Sequence, residues 1–152
     1  DKDVKFPSNG KVTKKTLMKN TVGGTSYLLT FGSKVSVGKK PFKGTVSGPK
    51  DVNPANLPSQ KLPKGTFLRA VQVSYSESVK ISGKFQINIA VPLGTKINKS
   101  QDKKRFQLYA WSGKKWEKVT VSLASDGVSV FAKTPKTGVF ILMDMNPQKK
   151  AQ

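Results

Sequence analysis

The 152-residue chain contains neither cysteine nor histidine. Without cysteine it has no disulfide, no thiol nucleophile and no thiolate ligand for zinc or an iron–sulfur cluster. Without histidine it lacks the side chain that most often acts as general base and as metal ligand. These two absences argue against most hydrolase, metalloenzyme and redox chemistry, and we expect a non-catalytic protein that uses no metal and no cofactor.

Acidic residues are also scarce. The chain has eight of them: Asp1, Asp3, Asp51, Glu77, Asp102, Glu117, Asp126 and Asp144. Glu117 alone lies in a predicted central hairpin, whereas glycoside hydrolysis needs a second carboxylate several Å away. The oxygen-bearing residues Asp51, Asn53 and Asn56 come nearest to a calcium site, but a calcium cage uses more carboxylates than this cluster offers.

Long hydrophobic runs are missing as well. A membrane-spanning helix needs about 20 apolar residues, and the longest run here, 138–143, has only the length of a buried strand. We therefore expect no membrane span. The polar first residues 1–4 carry no signal-like apolar core, which is typical of a mature protein after signal removal or of a piece cut from a longer one.

Lysine is what the chain has in abundance. Lys and Arg total 28, the formal net charge is +20, and only Arg69 and Arg105 are arginine. Because lysine is a hydrated point charge and arginine reads phosphate and guanine bidentately, sequence-specific nucleic-acid recognition is not expected. Such a surface attracts an anionic polymer (nucleic acid, teichoic acid or acidic glycan) without specificity. The alternative is that the lysines only protect sheet edges against aggregation.

Short strand-like runs separated by turn residues follow one another through the chain. They cover residues 25–31, 34–37, 42–47, 66–75, 84–91, 105–111, 116–123, 128–133 and 138–144. In 84–91 the apolar residues occupy every second position, the period of a half-buried strand. No segment has a helical period. The pattern predicts an all-β, antiparallel β-sandwich, Ig-like or jelly-roll-like, with about nine short strands and almost no helix.

The chain is predicted to have three parts: an N-terminal extension or docking strand (1–24), a single β-sandwich domain (25–145) and a basic C-terminal tail (146–152). Four of the nine prolines lie in residues 49–63. Because proline cannot donate to a sheet ladder, this segment is predicted to be a loop that crosses from one sheet, or from one half of the domain, to the other.

The N-terminal extension carries a candidate assembly strand. Its apolar residues Val4, Phe6, Val12 and Leu17 lie among six lysines. So charged a segment gains little from burial, and we expect it to be ordered by backbone pairing with a sheet edge of another copy of the chain.

Two turn signals predict a register for the C-terminal half. Residues 112–115 form a hairpin loop that pairs Trp111 with Trp116 and 106 with 121, and Asp126-Gly127 forms a second turn that pairs 123 with 130. The predicted core face then contains Phe106, Leu108, Ala110, Val119, Val121, Leu123, Val128, Val130 and Ala132. The predicted outer face contains Tyr109, Trp111, Trp116 and Lys118, beside Lys114 and Lys115 in the loop.

This outer face is the candidate binding site. Aromatic rings among lysines stack sugar rings or nucleobases, or form the centre of a protein interface. Two plainer interpretations stay open. The two tryptophans could simply stabilise the hairpin as a cross-strand pair, by roughly 0.2–1 kcal/mol, or residues 1–24 could cover the face.

Residues 63–143 resemble the β-sandwich modules of bacterial and archaeal cell-surface proteins, related in style to the sandwich of zonula-occludens and netrin-receptor proteins. The matching elements are LPKGT (62–66), FQINIAVPLG (85–94), LYAW (108–111), WEKV (116–119), DG (126–127) and TGVFIL (137–142). Some such modules self-cleave beside a His-Phe-Ser/Thr motif, but here the corresponding residues 137–140 lack the histidine, so autoproteolysis is not expected. The resemblance implies an extracellular or cell-surface location and a non-catalytic scaffold or adhesion role.

The sequence thus predicts an extracellular, non-catalytic structural protein that assembles with other copies of itself into a surface layer or filament. The alternative is a lysine-rich adhesion module that binds a polyanion or glycan through the Trp/Tyr/Lys face.

Overall fold

Antiparallel strands make up most of the computed structural model, which describes residues 3–38, 42–97 and 105–145. The strands are β1 (Val4–Lys5), β2 (Met18–Val22), β3 (Thr25–Phe31), β4 (Thr45–Asp51), β5 (Thr66–Tyr75), β6 (Phe85–Pro92), β7 (Phe106–Trp111), β8 (Trp116–Val119), β9 (Val121–Leu123), β10 (Ser129–Thr134) and β11 (Gly138–Asp144). Within these ranges the one helical element is a 3₁₀ turn, Pro54–Asn56. The described residues include no helix with the length and hydrophobicity that crossing a membrane would require.

The strands form two antiparallel sheets. One has six strands in the order β1-β4-β5-β11-β7-β8, and the other has five in the order β2-β3-β6-β10-β9. Their facing sides enclose one core, in which Leu108 and Phe140 of the larger sheet and Tyr27 and Ile87 of the smaller one are almost fully buried. The predicted all-β sandwich with almost no helix is confirmed.

The described residues form eleven strands, where about nine were predicted. The run 116–123 divides at Thr120 into β8 and β9, which belong to different sheets. The run 34–37 contributes only an isolated bridge at Ser36. Strands β1 and β2 were missed, because β1 has only two residues and β2 has the polar Asn20 between Met18 and Val22.

The N-terminal residues belong to the sandwich itself. Strand β1 pairs with β4 and β2 pairs with β3 of the same chain. Val4 packs against the core, Phe6 and Val12 are buried in it, and Leu17 is 65% exposed. The expectation that another copy orders this segment is therefore wrong for the described residues, which pair within their own chain, while β1 and β2 each remain the outermost strand of a sheet. Their lysines point to solvent while the backbone pairs within the chain and a few apolar side chains enter the core.

A covering segment, residues 52–65, lies on the outer face of the six-stranded sheet. Strands β4 and β5 on either side of it pair with each other, so the prediction that it crosses between sheets is wrong. Its Leu57 packs with Ala70, Ile141 and Met143 in a second, smaller apolar cluster. We call this group the outer cluster. Strand β11 is consequently buried on both faces, which explains its unbroken apolar run.

Candidate binding site at the edge of the six-stranded sheet

The predicted hairpin register is confirmed around the first turn. Strands β7 and β8 pair Leu108 with Val119, Ala110 with Glu117 and Trp111 with Trp116. Leu108, Ala110 and Val119 are buried in the core. Tyr109, Trp111, Trp116 and Lys118 therefore share the opposite, outer side of these two strands, as the period of two requires.

For the second turn, the predicted strand pairing is confirmed, but the predicted burial is not confirmed for every side chain. Leu123 pairs with Val130 and Val121 with Ala132. The predicted pairing of Phe106 with residue 121 is wrong, because the chain changes sheets at Thr120. Val128, predicted to face the core, is 39% exposed because it precedes β10 in the turn, where its N–H donates to Oδ1 of Asp126 at 3.0 Å.

The loop between β7 and β8 holds two lysines at the tip of the hairpin. Ser112 organises this loop: its N–H and its hydroxyl both donate to the carbonyl of Lys115, at 2.9 and 3.0 Å. Its Oγ in turn accepts from the N–H groups of Lys114 and Lys115 at 3.3 and 3.1 Å. Gly113 supplies the positive φ of 99° that the turn needs. The backbone under both lysines is thus fixed before any ligand arrives.

The two tryptophans meet edge to face. Their ring centroids are 5.0 Å apart and their planes make an angle of 61°, the arrangement that aromatic pairs favour. Trp116 also packs against the outer cluster, as Tyr109 does. Nε1 of Trp116 is buried and has no hydrogen-bond partner among the described residues, so packing alone holds this ring.

A groove of about 450 Å³ runs between the hairpin and the covering segment. It is lined by Ser59, Lys61, Leu62, Pro63, Tyr109, Trp111, Lys114, Lys115 and Trp116. Five of the six predicted binding residues are brought together here. Lys118, the sixth, neighbours Tyr109 across the hairpin and is exposed, but it does not line the groove.

The covering segment supplies the wall that sequence reasoning missed. Residues 1–24 were considered as a cover for the aromatic face, whereas Leu62 and Pro63 of the covering segment border it. The available signal was the cluster of prolines together with Leu57 and Leu62, two apolar residues in an otherwise polar connecting segment.

The groove is positively charged. Lys61, Lys114 and Lys115 line it, and none of its described lining residues is acidic. The nearest acid along the hairpin, Glu117, points to the other side of β8 and accepts a hydrogen bond from Nζ of Lys136. That hydrogen bond and the charge of Lys136 lower the pKa of Glu117, with a smaller contribution from Lys115. Glu117 is therefore a carboxylate paired with Lys136, and it is not among the residues that line the groove.

Two of the three residues considered for calcium, Asp51 and Asn53, have other contacts in the structure. Oδ1 of Asn53 accepts the N–H of Ala55 at 2.9 Å and caps the 3₁₀ turn, and Oδ1 of Asp51 lies 3.9 Å from Nε of Arg69. Within the described part of the chain, no three acidic side chains come together as a metal-binding group.

Comparisons of the chain with protein-family models, with curated proteins and with solved structures found no match. The resemblance of residues 63–143 to cell-surface modules therefore stays a prediction. Any function has to be argued from the groove itself.

Proposed function

We propose that this protein is a non-catalytic, extracellular or cell-surface module that binds an acidic polysaccharide in the groove beside Trp111 and Trp116. One observation carries the proposal. The only two tryptophans of the chain lie together in a groove that three lysines line and that has no acidic side chain among its described lining residues.

The ring geometry favours a sugar over a nucleobase. A flat base is best held by rings that lie parallel to it, whereas these indoles meet at 61° and form a corner. A puckered sugar ring is amphipathic: its C–H face packs on one indole while its hydroxyls and carboxylate point to the polar rim. Pockets of this kind combine apolar walls with a few placed polar groups.

The lysines select for negative charge on that sugar. Lys114 and Lys115 are fixed on the ordered hairpin loop, and Lys61 extends from the covering segment opposite them. Carboxylates or sulfates spaced along a polymer would meet these ammonium groups on both sides of the groove. Because exposed charges are screened by salt, we expect the affinity to fall as ionic strength rises.

Self-assembly, the other function expected from the sequence, has weaker support, because the N-terminal segment needs no second copy to be ordered, although β1 and β2 remain edge strands. Strands β1 and β2 already pair within their own chain. Copies that each carry a formal charge of +20 also repel one another unless salt or a polyanion screens the charge. The aromatic groove therefore supports binding better than the fold supports assembly.

The test follows tryptophan fluorescence during titration with a tetragalacturonate, a four-unit uronic-acid oligosaccharide. Because both tryptophans line the groove, their emission reports directly on its occupancy. We expect a saturable change, weaker at high salt, and none with a neutral oligosaccharide of equal length. Lack of any change while the ligand binds in calorimetry would overturn the proposal.

Two variants and a matched control sharpen this test. Trp111→Ala should weaken binding at least about tenfold, the size of a loss of one well-placed aromatic contact. Lys114→Gln with Lys115→Gln should weaken it and reduce its salt dependence. Lys5→Gln with Lys50→Gln removes the same charge from the opposite edge of the same sheet and should leave binding within about twofold of the native protein.

A further inference from the structure

The outer face of the five-stranded sheet also carries an exposed aromatic residue. Phe131 on β10 is 49% exposed. Its neighbours across the sheet are the small residues Ala90 on β6 and Ser26 on β3. The ring therefore stands beside a depression of about 280 Å³, which Leu28 and Asn88 also line. The described residues build no apolar cluster on this face to compare with the outer cluster of the other sheet.

A row of side chains crosses the sheet next to Phe131. Lys133, Asn88, Leu28 and Lys19 are successive partners on β10, β6, β3 and β2. The two lysines thus lie three strand spacings apart, roughly 14 Å between Cα atoms. Nδ2 of Asn88 donates to the carbonyl of Leu28 at 3.2 Å, which fixes the amide between them. The row has a cation at each end and an apolar and an amide side chain in the middle.

Charge on this sheet has one sign only. The five strands β2, β3, β6, β9 and β10 contain no Asp or Glu, and their only charged residues are Lys19 and Lys133. Both lysines are exposed on the outer face. Besides Phe131, the depression is lined by Lys19, by Ser26 and Thr21 with their hydroxyls, and by Asn88, with no carboxylate among its described lining residues. Lys133 lies two residues from Phe131 on the same exposed side of β10.

We propose that this face binds a second chain of acidic polysaccharide, with a sugar ring against Phe131 and anionic groups on Lys19 and Lys133. The two outer faces of a sandwich point in opposite directions, with about 10 Å between the sheets and side chains beyond. One oligosaccharide cannot reach both faces. A protein with a site on each face bridges two polymer chains, a consequence that rests on the proposed function of the tryptophan groove.

Calorimetry with tetragalacturonate measures the number of sites. We expect two per chain in the native protein, and one in Phe131→Ser with its tryptophan fluorescence response intact. Trp111→Ala should retain the other site. With long polygalacturonate, light scattering should rise sharply for the native protein, because it cross-links the polymer, and for neither variant. Since Phe131 is half exposed, its replacement leaves the core untouched, which the circular-dichroism spectrum checks.

The failures of the two proposals differ. One site per chain in both the native protein and Phe131→Ser, with the fluorescence response present, overturns the second site and leaves the groove standing. Two sites with no fluorescence response, or no effect of Trp111→Ala, overturn the groove assignment, and with it the bridging.

A second variant tests this site without changing Phe131, by replacing the two lysines. Lys19→Gln with Lys133→Gln should weaken this site about tenfold, whereas the matched pair Lys5→Gln with Lys50→Gln should change it less than about twofold. Equal effects of the two pairs would show that only net charge matters and would overturn the site. Displacement of the oligosaccharide by single-stranded DNA at equal affinity would overturn the carbohydrate assignment.

Discussion

The two outer faces of this sandwich differ in what lies on them. The covering segment, residues 52–65, lies on the six-stranded sheet, seals Ile141 and Met143 beneath Leu57, and leaves a groove only at the tryptophan hairpin. The five-stranded sheet has no such cluster among the described residues and keeps Phe131 half exposed on β10, the strand that also carries Lys133. The same fold thus offers a walled groove on one side and a shallow open face on the other.

The sequences of the strands reflect this difference between the two faces. Strand β11 reads GVFILMD and is buried from Phe140 to Asp144, because the core lies below it and the covering segment above. Strand β10 reads SVFAKT and alternates between buried and exposed positions. An unbroken apolar strand therefore indicates a covered face, and an alternating one indicates a face left to solvent.

The largest expected effect tests whether the covered face is a true second core. Ile141→Ala removes a fully buried side chain from the outer cluster and should destabilise the protein by about 2–5 kcal/mol in urea unfolding. Leu28→Ala shortens an aliphatic side chain in the same way on the outer face of the five-stranded sheet. It should lower the free energy of unfolding by less than about 1 kcal/mol. Equal losses would show that the two faces are equally buried.

The next effect concerns the cover. Leu57 is the residue of the covering segment that is buried in the outer cluster, so Leu57→Ala should cost about 2 kcal/mol. It should also loosen the wall beside Trp116 and shift the tryptophan emission to the red. Val52→Ala, at the partly buried margin of the cluster, serves as the milder control. An unchanged emission spectrum would mean that the groove does not depend on the cover.

A smaller effect on stability is expected from two tyrosine hydroxyls inside the sandwich, one from each sheet. The hydroxyls of Tyr27 and Tyr75 are buried without a hydrogen-bond partner among the described residues. Because such an unpaired group costs about 1–3 kcal/mol, Tyr27→Phe should stabilise the protein by about 1 kcal/mol at neutral pH. Urea unfolding measures the difference, and a destabilised variant would contradict it.

The stability difference between the native protein and Tyr27→Phe should depend on pH. Burial, with a smaller contribution from Asp3, raises the pKa of Tyr27 from 10.0 to about 12. Burial also holds the pKa of Tyr75 well above its usual value. Between pH 10 and 12 the unfolded tyrosine ionises and the folded one does not, so the native protein should lose stability relative to Tyr27→Phe across that window.

The smallest effect is expected on the open face. Phe131→Ser should change the free energy of unfolding by no more than about 0.5 kcal/mol, because half of the ring is already in solvent. A loss of several kcal/mol would show that the ring is structural, and the second binding site would lose its basis.

Much of the fold was predictable because the strands carry their own period. The alternation in 84–91 and the turn at 112–115 placed β6, β7 and β8 correctly, and with them the outer position of Trp111 and Trp116. The covering segment was not predictable in the same way. Its contacts with Ile141 and Met143 are long-range and follow no local period. The apolar run in β11, and Leu57 and Leu62 among the prolines of the segment, were the sequence signals that something covers this sheet.

The prediction for the N-terminal strands was wrong for a different reason. The number of lysines in residues 1–24 gives the charge of the segment, but it does not tell whether the lysine side chains face the core or the solvent. Once β2 pairs with β3, Met18 enters the core while Lys19 faces solvent, and the charge no longer opposes folding.

The central claim is that the tryptophan groove binds an acidic sugar chain, and indole N–H resonances in an NMR titration test it most directly. The chain has two tryptophans and hence two such resonances, both from residues that line the groove. With tetragalacturonate at low salt, both should move along a saturable curve, and both should stay in place with a neutral oligosaccharide. Binding that shifts backbone resonances elsewhere while both indole signals remain fixed would contradict the account.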